Sequence, residues 1–472
     1  MNQILEVKNI LRKFAQEGKN QQLIESWIEI WNQGYIEYFP KLCIESLFRE
    51  LNVYDFAEYI LDSNELIEDR YSCYNRLNIH IARSSHTENI EEVLDIQKKL
   101  YKKLLVESID KFGFIDCIEK ENADKRLYIF TSLYFPKSLG HSPSIIIDLL
   151  HNELKKYFEQ IYVIITPPYH FPYPLSPLNE RVFNNNYQDI EDNCLYQLDG
   201  ISFIKFSGYL TESSYLEFIK KYQFTNKDKF LLAGHSNIHF DLIKSNNKIN
   251  IPLSESLREL NTASFQIWND DIGNPRNIFN NKFKIILSPD LTKKTDLKYI
   301  DKNKKNIDEK INVAIVGNRL DLELDSEFFK SLEKCVKILP NIQFKIIGEQ
   351  PNINLISEKL LKNIEFTNFI NNLEEYFLKN IDFYLNPKRQ GGGHSAIIAI
   401  KANIPIITLP FGDVYSSIEK KYHINSFNEI TDFIKEYSLN EEFKDKIDNI
   451  NINLLKNSQK KFENMIQTII KI

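Results

Sequence analysis

Two successive doubly wound α/β units facing a cleft, preceded by an all-α region, are the fold this sequence predicts. Three observations predict it. The N-terminal quarter repeats apolar side chains at helical spacing without a strand-like run, short apolar runs then alternate with amphipathic helices in two series, and a lysine-rich polar stretch divides the series. The divisions fall at 1–122 for the helical domain, 123–292 for the first α/β domain, 293–310 for a charged linker and 311–472 for the second α/β domain.

In the helical domain, Leu23, Ile24, Trp27, Ile28, Ile30 and Trp31 recur at three- and four-residue steps, as do the apolar residues from Ile90 to Leu105. The pattern changes at Arg126. Leu127 to Ser132 is a buried strand, Ser144 to Leu154 a helix and Ile161 to Thr166 a second buried strand, which together make a βαβ unit and so a parallel sheet. The runs at Ile201, Phe230, Ile249 and Phe283 extend that sheet, whereas the proline-rich segment from Thr166 to Pro177 is a loop. The rhythm restarts with a strand at Ile311–Gly317, a helix over Ser326–Leu339 and a strand at Phe344–Gly348. A helix over Leu355–Leu361, a strand at Ile381–Leu385, a helix over Ser395–Ala402 and a strand at Pro405–Leu409 follow, with a helical tail from Phe427.

Composition narrows the class. With 43% hydrophobic and 26% charged residues the chain is an ordinary globular protein, and its net charge of −6 argues against a general nucleic-acid binder. No run of 18 apolar residues spans a membrane, and the first residues lack the basic and apolar regions of an export signal, so a cytoplasmic protein is expected. The cysteines, Cys43, Cys73, Cys117, Cys194 and Cys335, are scattered without a C-x-x-C pair and read as reduced thiols. His235 and His239 have i,i+4 spacing but no identifiable third ligand, so no metal is expected.

The most informative run is Ile381 to Asp413. Three of the chain's 14 glycines, Gly391, Gly392 and Gly393, stand together between a strand and a helix. Bare backbone leading into a helix offers unpaired N–H groups and the positive end of the helix dipole, which suits a phosphate. The turn also falls at the C-terminal edge of a parallel strand, where open α/β sheets bind ligands. Ser395 is read as the N-cap of the following helix, and Lys388 and Arg389 flank the turn as cations. A tight strand-to-helix turn with no ligand would also explain three glycines. Neither a Gly-x-Gly-x-x-Gly fingerprint nor a Gly-Lys-Ser/Thr phosphate loop is present.

These residues resemble a known family. Asp382 to Asn386, the glycines with His394 and Ser395, and Ile404 to Pro410 with Gly412 and Asp413 look like the donor-site segment of GT-B glycosyltransferases. They are most similar to glycosyltransferase family 41, which holds the O-GlcNAc transferases and the bacterial cytoplasmic N-glycosyltransferases of adhesins. Arg126 to Ser132 with Gly140 and His141 is similar to the first strand and its following loop in that family. Val316, Gly317, Asn318 and Arg319 are similar to the start of its C-terminal half.

The resemblance covers about residues 126–420 and implies a GT-B fold of two Rossmann-like domains facing a cleft. It also implies metal-independent transfer from a nucleotide-diphosphate sugar, with a UDP-sugar as donor substrate and no further cofactor. The donor diphosphate would rest on Gly391, Gly392, Gly393, His394 and Ser395, near Asn318. Arg319 would neutralise the leaving group, with Lys388 or Arg389 in reserve. Asp413 suits ribose or sugar hydroxyls, and equally an N-cap. His141 suits an acceptor-side base, and equally a helix cap; His235 is the second choice.

The sequence also departs from its relatives. Retaining GT-B enzymes carry two glutamates where Gln390 and Ile398 stand here, which leans toward inversion, and family 41's ribose-binding acid corresponds to Ala399. The expected acceptor is a polypeptide, with the helical domain binding the acceptor or a partner protein. The alternatives are a glycan or lipid-linked acceptor, a sugar 2-epimerase of the same fold, and an inactive homologue serving as a binding subunit.

Overall fold

The computed structural model describes residues 90–132, 134, 142–166, 194–206, 219–234, 236–252, 260–268, 284–287, 308–317, 320–370, 372–389 and 391–472, together with Tyr71, Tyr74 and Asn78. Most of the expected helical domain and nearly all of the charged linker therefore lie outside the described residues. What is described of the expected helical domain is α1 (Ile90–Phe112), the three isolated positions, each helical, and residues 113–122. These last hold the short strand Ile115–Asp116 instead of helix because it pairs with Ile243–Lys244.

The strands of the first half are, in chain order, β1 (Ile115–Asp116), β2 (Arg126–Thr131), β3 (Gln160–Ile165), β4 (Leu195–Leu198), β5 (Ile201–Lys205), β6 (Lys229–Ala233), β7 (Ile243–Lys244), β8 (Lys248–Ile251), β9 (Phe265–Trp268) and β10 (Lys284–Leu287). β1 pairs with β7, and the other eight form one sheet in the order β10-β9-β8-β6-β2-β3-β5-β4. Every pairing in that sheet is parallel except β4 with β5. The central strands are unbroken apolar runs because helices cover both faces of a parallel sheet. The sequence pattern missed β4 and β9; β4 alternates exposed and half-buried positions, as an edge strand does.

The second half contains β11 (Ile311–Gly317), β12 (Ile342–Gly348), β13 (Ile364–Thr367), β14 (Phe383–Leu385) and β15 (Ile406–Ile407). They form an all-parallel sheet in the order β13-β12-β11-β14-β15. The chain lays β12 and β13 on one side of β11, then returns to lay β14 and β15 on the other. The order therefore reverses between β11 and β14, and in such sheets the crevice beyond the strand ends at that reversal is where ligands bind. The first sheet reverses likewise, between β2 and β6.

The described helices after α1 are α2 (Ser142–Leu154), α3 (Ile238–Asp241), α4 (Leu320–Glu323), α5 (Ser326–Ile338), α6 (Glu358–Leu361), α7 (Leu373–Asn380), α8 (Gly393–Lys401), α9 (Gly412–Ser417), α10 (Ile430–Leu439) and α11 (Glu441–Lys471). The helical tail expected from Phe427 divides between α10 and α11 after a short 3-10 turn at Phe427–Glu429, and α11 serves both sheets. Its early residues Ile447 and Leu454 join the core of the second sheet. Phe462, Met465, Ile466 and Ile469 instead pack with Leu127, Ile129, Ile147 and Leu150 in the core of the first. The last-turn carbonyls of α11 lack intrahelical donors. Lys229 Nζ supplies one, at 2.8 Å to Ile469 O and 2.6 Å to Ile470 O. Residues 462–469, placed by the sequence in the second domain, thus pack with the first.

Candidate functional site

The site is built where β11 and β14 end. Past β14 the chain runs Asn386, Pro387, Lys388, Arg389 and on into the three half-buried glycines. Gly392 takes φ 101° and ψ 2°, a left-handed backbone that a side chain resists, and it is the N-cap of α8. Ser395, expected as the N-cap, instead lies three residues inside the helix. Its hydroxyl hydrogen-bonds Tyr384, whose phenol is otherwise pushed upward in pKa by burial.

Because a glycine caps α8, the N-cap position supplies no side-chain hydrogen bond to the first turn. The first bond across that end runs from Ala396 N to Gly392 O at 3.2 Å, so the N–H groups of Gly393, His394 and Ser395 precede the helical ladder. They are oriented donors at the positive end of a nine-residue helix. Behind them the helix is anchored in the core by Ala396, Ile398, Ala399 and Ile400. Ile398 and Ala399, two positions at which the resemblance implies acids elsewhere, are apolar packing positions here: Ile398 is 8% exposed and Ala399 fully buried.

Gly393 allows a close helix–helix approach. A Cβ there would stand 3.2 Å from Ser417 Oγ and 3.5 Å from Asp413 Cβ, both on α9. Asp413 does not cap α9, which begins at Gly412; it lies in the first turn, where a carboxylate complements the helix dipole. Ser417 Oγ donates to Asp413 O at 2.7 Å and ties the two ends of that turn together. His394 is held neutral: burial first, then the nearby Lys401, pushes its pKa down to about 4.

The two flanking cations differ. Lys388 is half-buried. Arg389 is buried, and its guanidinium turns back into the protein: Nε donates to Asn386 Oδ1, Nη1 to Glu323 Oε2 and Nη2 to Tyr384 Oη, each at 2.9 Å. Burial disfavours its charge, yet Tyr384 and Glu323 outweigh that and hold its pKa above the ordinary arginine value. Arg389, expected as a reserve phosphate ligand, is thus bonded to three protein groups. Glu323 and Tyr384 escaped the sequence reading; an acid one turn beyond the first strand of the second unit was the available signal.

Two motifs of the resemblance also meet. Asn386 N donates to Ile407 O at 2.9 Å, and Asn386 Nδ2 donates to Thr408 Oγ1 at 3.2 Å. The Asn-Pro after β14 and the Thr after β15 are neighbours that set the height of the turn. Asn318, Arg319, Gln390, His141 and His235 lie outside the described residues. Among the described residues no cluster of three His, Cys, Asp or Glu side chains has the geometry to hold a metal, and no helix is long and apolar enough to cross a membrane.

No protein-family model and no curated protein matches the chain. Solved structures are similar at low identity. A mutant of Thermobaculum terrenum O-GlcNAc transferase is 10% identical over 99% of this chain and 96% of that one, with a TM-score of 0.47. The trehalose-6-phosphate synthase OtsA is 11% identical over 74% of this chain and 99% of that one, with a TM-score of 0.49. The pneumococcal O-GlcNAc transferase GtfA, in complex with UDP and GlcNAc, is 11% identical over 74% of this chain and 100% of that one, with a TM-score of 0.49. Identities this low with TM-scores below 0.5 assign the chain to none of these families.

Proposed function

We propose that this chain is a GT-B glycosyltransferase that takes its sugar from a nucleotide-diphosphate donor, a UDP-sugar. One observation carries the reading: a helix capped only by a left-handed glycine opens its first-turn N–H groups at the strand-order reversal of a parallel sheet. A diphosphate carries the charge and the acceptor oxygens that such a cradle pairs with.

In the proposed reaction the acceptor nucleophile attacks the anomeric carbon while the bond from that carbon to the diphosphate oxygen breaks. The electron pair leaves with the nucleoside diphosphate, and the proton of the acceptor passes to a base. Donation from Gly393, His394 and Ser395 stabilises the charge that grows on the diphosphate. Arg319, two residues past β11 in the chain, is the proposed cation in place of a metal, and His141, one residue before α2, the proposed base. Gln390 and the buried Ile398, standing where retaining enzymes of this fold carry two glutamates, support inversion. The proposed acceptor is a polypeptide.

The same positions favour a second reading, an inactive homologue that binds nucleotide and serves as a subunit. Incubation with UDP-, GDP- and CMP-sugars separates the two: binding with release of free nucleotide supports the transferase, and binding without turnover supports the subunit. No binding to any of the three sinks both. With turnover in hand, His141→Ala is expected to lower kcat by about 100-fold, and unchanged kcat removes His141 from the mechanism. Mass spectrometry of co-expressed proteins tests the acceptor; a hexose-type mass increase on a peptide is the expected result, and label confined to glycan or lipid overturns the polypeptide acceptor.

A further inference from the structure

Arg389 occupies an unusual place for a cation beside a glycine turn. Its guanidinium lies between the backbones of two glycines on different segments. A Cβ on Gly317, the last residue of β11, would stand 2.7 Å from Arg389 Nη1, and a Cβ on Gly392 would stand 2.7 Å from both Nε and Nη2. At Gly317 a Cβ would also meet Leu320 Cδ2 at 2.7 Å, so the guanidinium and Leu320 together fill that space, while at Gly392 the guanidinium adds to the demand of a left-handed backbone.

The three acceptors of that group also come from different segments. Glu323 ends α4, the short helix that follows β11; Tyr384 lies in β14; Asn386 opens the turn itself. Arginine's rigid fork of N–H donors can reach all three at once, which a lysine ammonium on a flexible stem cannot. The Glu323 carboxylate lies 2.9 Å from Nη1 and is itself nearly buried, so the pair brings little net charge to the crevice. Ser395 bonds to the same Tyr384 hydroxyl that Arg389 reaches, and so continues the network into the first turn of α8.

We propose that Arg389 is a positioning residue for the donor site. It locks the segment after β11 to the glycine turn after β14, and so aims the N–H groups of Gly393, His394 and Ser395 without touching the ligand. This rests on the nucleotide-diphosphate reading above and deepens it: the brace acts on the diphosphate part of the donor and not on the nucleoside.

The test compares UDP with uridine on the full chain by calorimetry, with hydrogen exchange followed on the ligand-free protein. Arg389→Met is expected to weaken UDP at least tenfold while uridine affinity stays within twofold, and to speed exchange at residues 392–396. Arg389→Lys keeps the charge but not the fork, and is expected to behave like Arg389→Met. Full recovery of UDP affinity in Arg389→Lys overturns the positioning role, because charge alone would then suffice. Equal loss of UDP and uridine overturns it as general damage. Should Arg389→Met fail to fold, Tyr384→Phe removes the bonds from Tyr384 to Arg389 and to Ser395, and about threefold weaker UDP with unchanged uridine is the expected result; unchanged UDP overturns the proposal. A wild-type protein that binds no nucleoside diphosphate sinks the donor reading and this role together, whereas wild-type UDP binding that Arg389→Met retains sinks only the role.

Discussion

At the end of β6 the chain past Gly234 is tied down from outside. Tyr74 Oη donates to Ser236 Oγ at 2.9 Å, Asn250 Nδ2 to Gly234 O at 2.6 Å and Asn237 Nδ2 to Thr166 Oγ1 at 2.6 Å. At the end of β14 the chain past Asn386 is tied from within, by an arginine of its own loop reaching Glu323 and Tyr384. Both loops leave central strands at the point where strand order reverses, but the bonding differs in kind. In the first sheet, Tyr74 of the helical region and Asn250 of β8 reach the loop and the loop's own Asn237 reaches Thr166, so its shape depends on those neighbours. In the second, the brace lies behind the turn and leaves the backbone donors of α8 pointing outward. One reversal point is coupled to the helical region; the other is braced by an arginine of its own loop.

The contrast is broken most strongly at Gly392. A valine there would have to hold φ near 101° and place its Cβ against the Arg389 guanidinium. Backbone strain and overpacking together are expected to cost about 3 kcal/mol, read by urea unfolding, with loss of UDP binding. A Gly234→Val variant serves as the counterpart. Its φ of 152° also resists a side chain, but a Cβ there meets nothing nearer than 3.9 Å, so backbone strain acts without overpacking and a smaller loss is expected. Equal losses at the two glycines would remove the distinction between the loops.

Acid sharpens the comparison next. His394 beside the glycine turn is pushed down to about 4 by burial and by Lys401, and His239 on α3 is pushed down to about 3 by burial. In each case the unfolded chain takes up a proton as pH falls through 6.5 while the folded chain does not. Stability is therefore full above that value and declines as pH falls toward the folded pKa. Between pH 7.5 and 5 each histidine accounts for a loss of about 2 kcal/mol. His239→Phe, which preserves stacking on Phe206, is expected to flatten the acid limb measured by thermal unfolding. His394→Asn is expected to flatten it by a similar amount, and a limb that neither substitution changes would remove both histidines as its cause.

How far the sequence could be read follows the same division. Apolar runs such as Ile311–Gly317 announce buried parallel strands where β-branched residues dominate and the run is too short for an ordinary helix. Edge and short elements carry no such signature: β13 pairs only with β12 and is buried at Ile364 alone, and β1 and β7 are two residues each. The site shows the same limit. Three consecutive glycines are visible in any sequence, but the role of Arg389 depends on Glu323, 66 residues away, and on whether a side chain turns inward. Ser395 misled for a related reason: serine is a strong N-cap, and only the left-handed backbone of Gly392 moves the start of the helix ahead of it. The partners of Asn386 were hidden too, since a hydrogen bond to Thr408 across 22 positions leaves no local pattern.

The smallest effect tests the outer tie of the first sheet. Tyr74 is fully buried and packs on Tyr101 at 5.0 Å between ring centroids, while its hydroxyl reaches Ser236. Tyr101 in turn bonds the buried carboxylate of Asp241 on α3, which also accepts from Thr262 N at 2.7 Å and lies 3.9 Å from Lys248 Nζ. The tyrosines thus carry the helical region onto the segment after β6 through hydrogen bonds as well as ring packing. Tyr74→Phe keeps the rings in place and removes the hydroxyl's bonds to Ser236 and Asn78, so a loss of about 1–2 kcal/mol is expected. Because the second sheet's loop is braced by Arg389, the same substitution should leave UDP affinity within twofold. A large fall in UDP affinity would mean that the two loops act as one unit, and the contrast between external and internal bracing would fail.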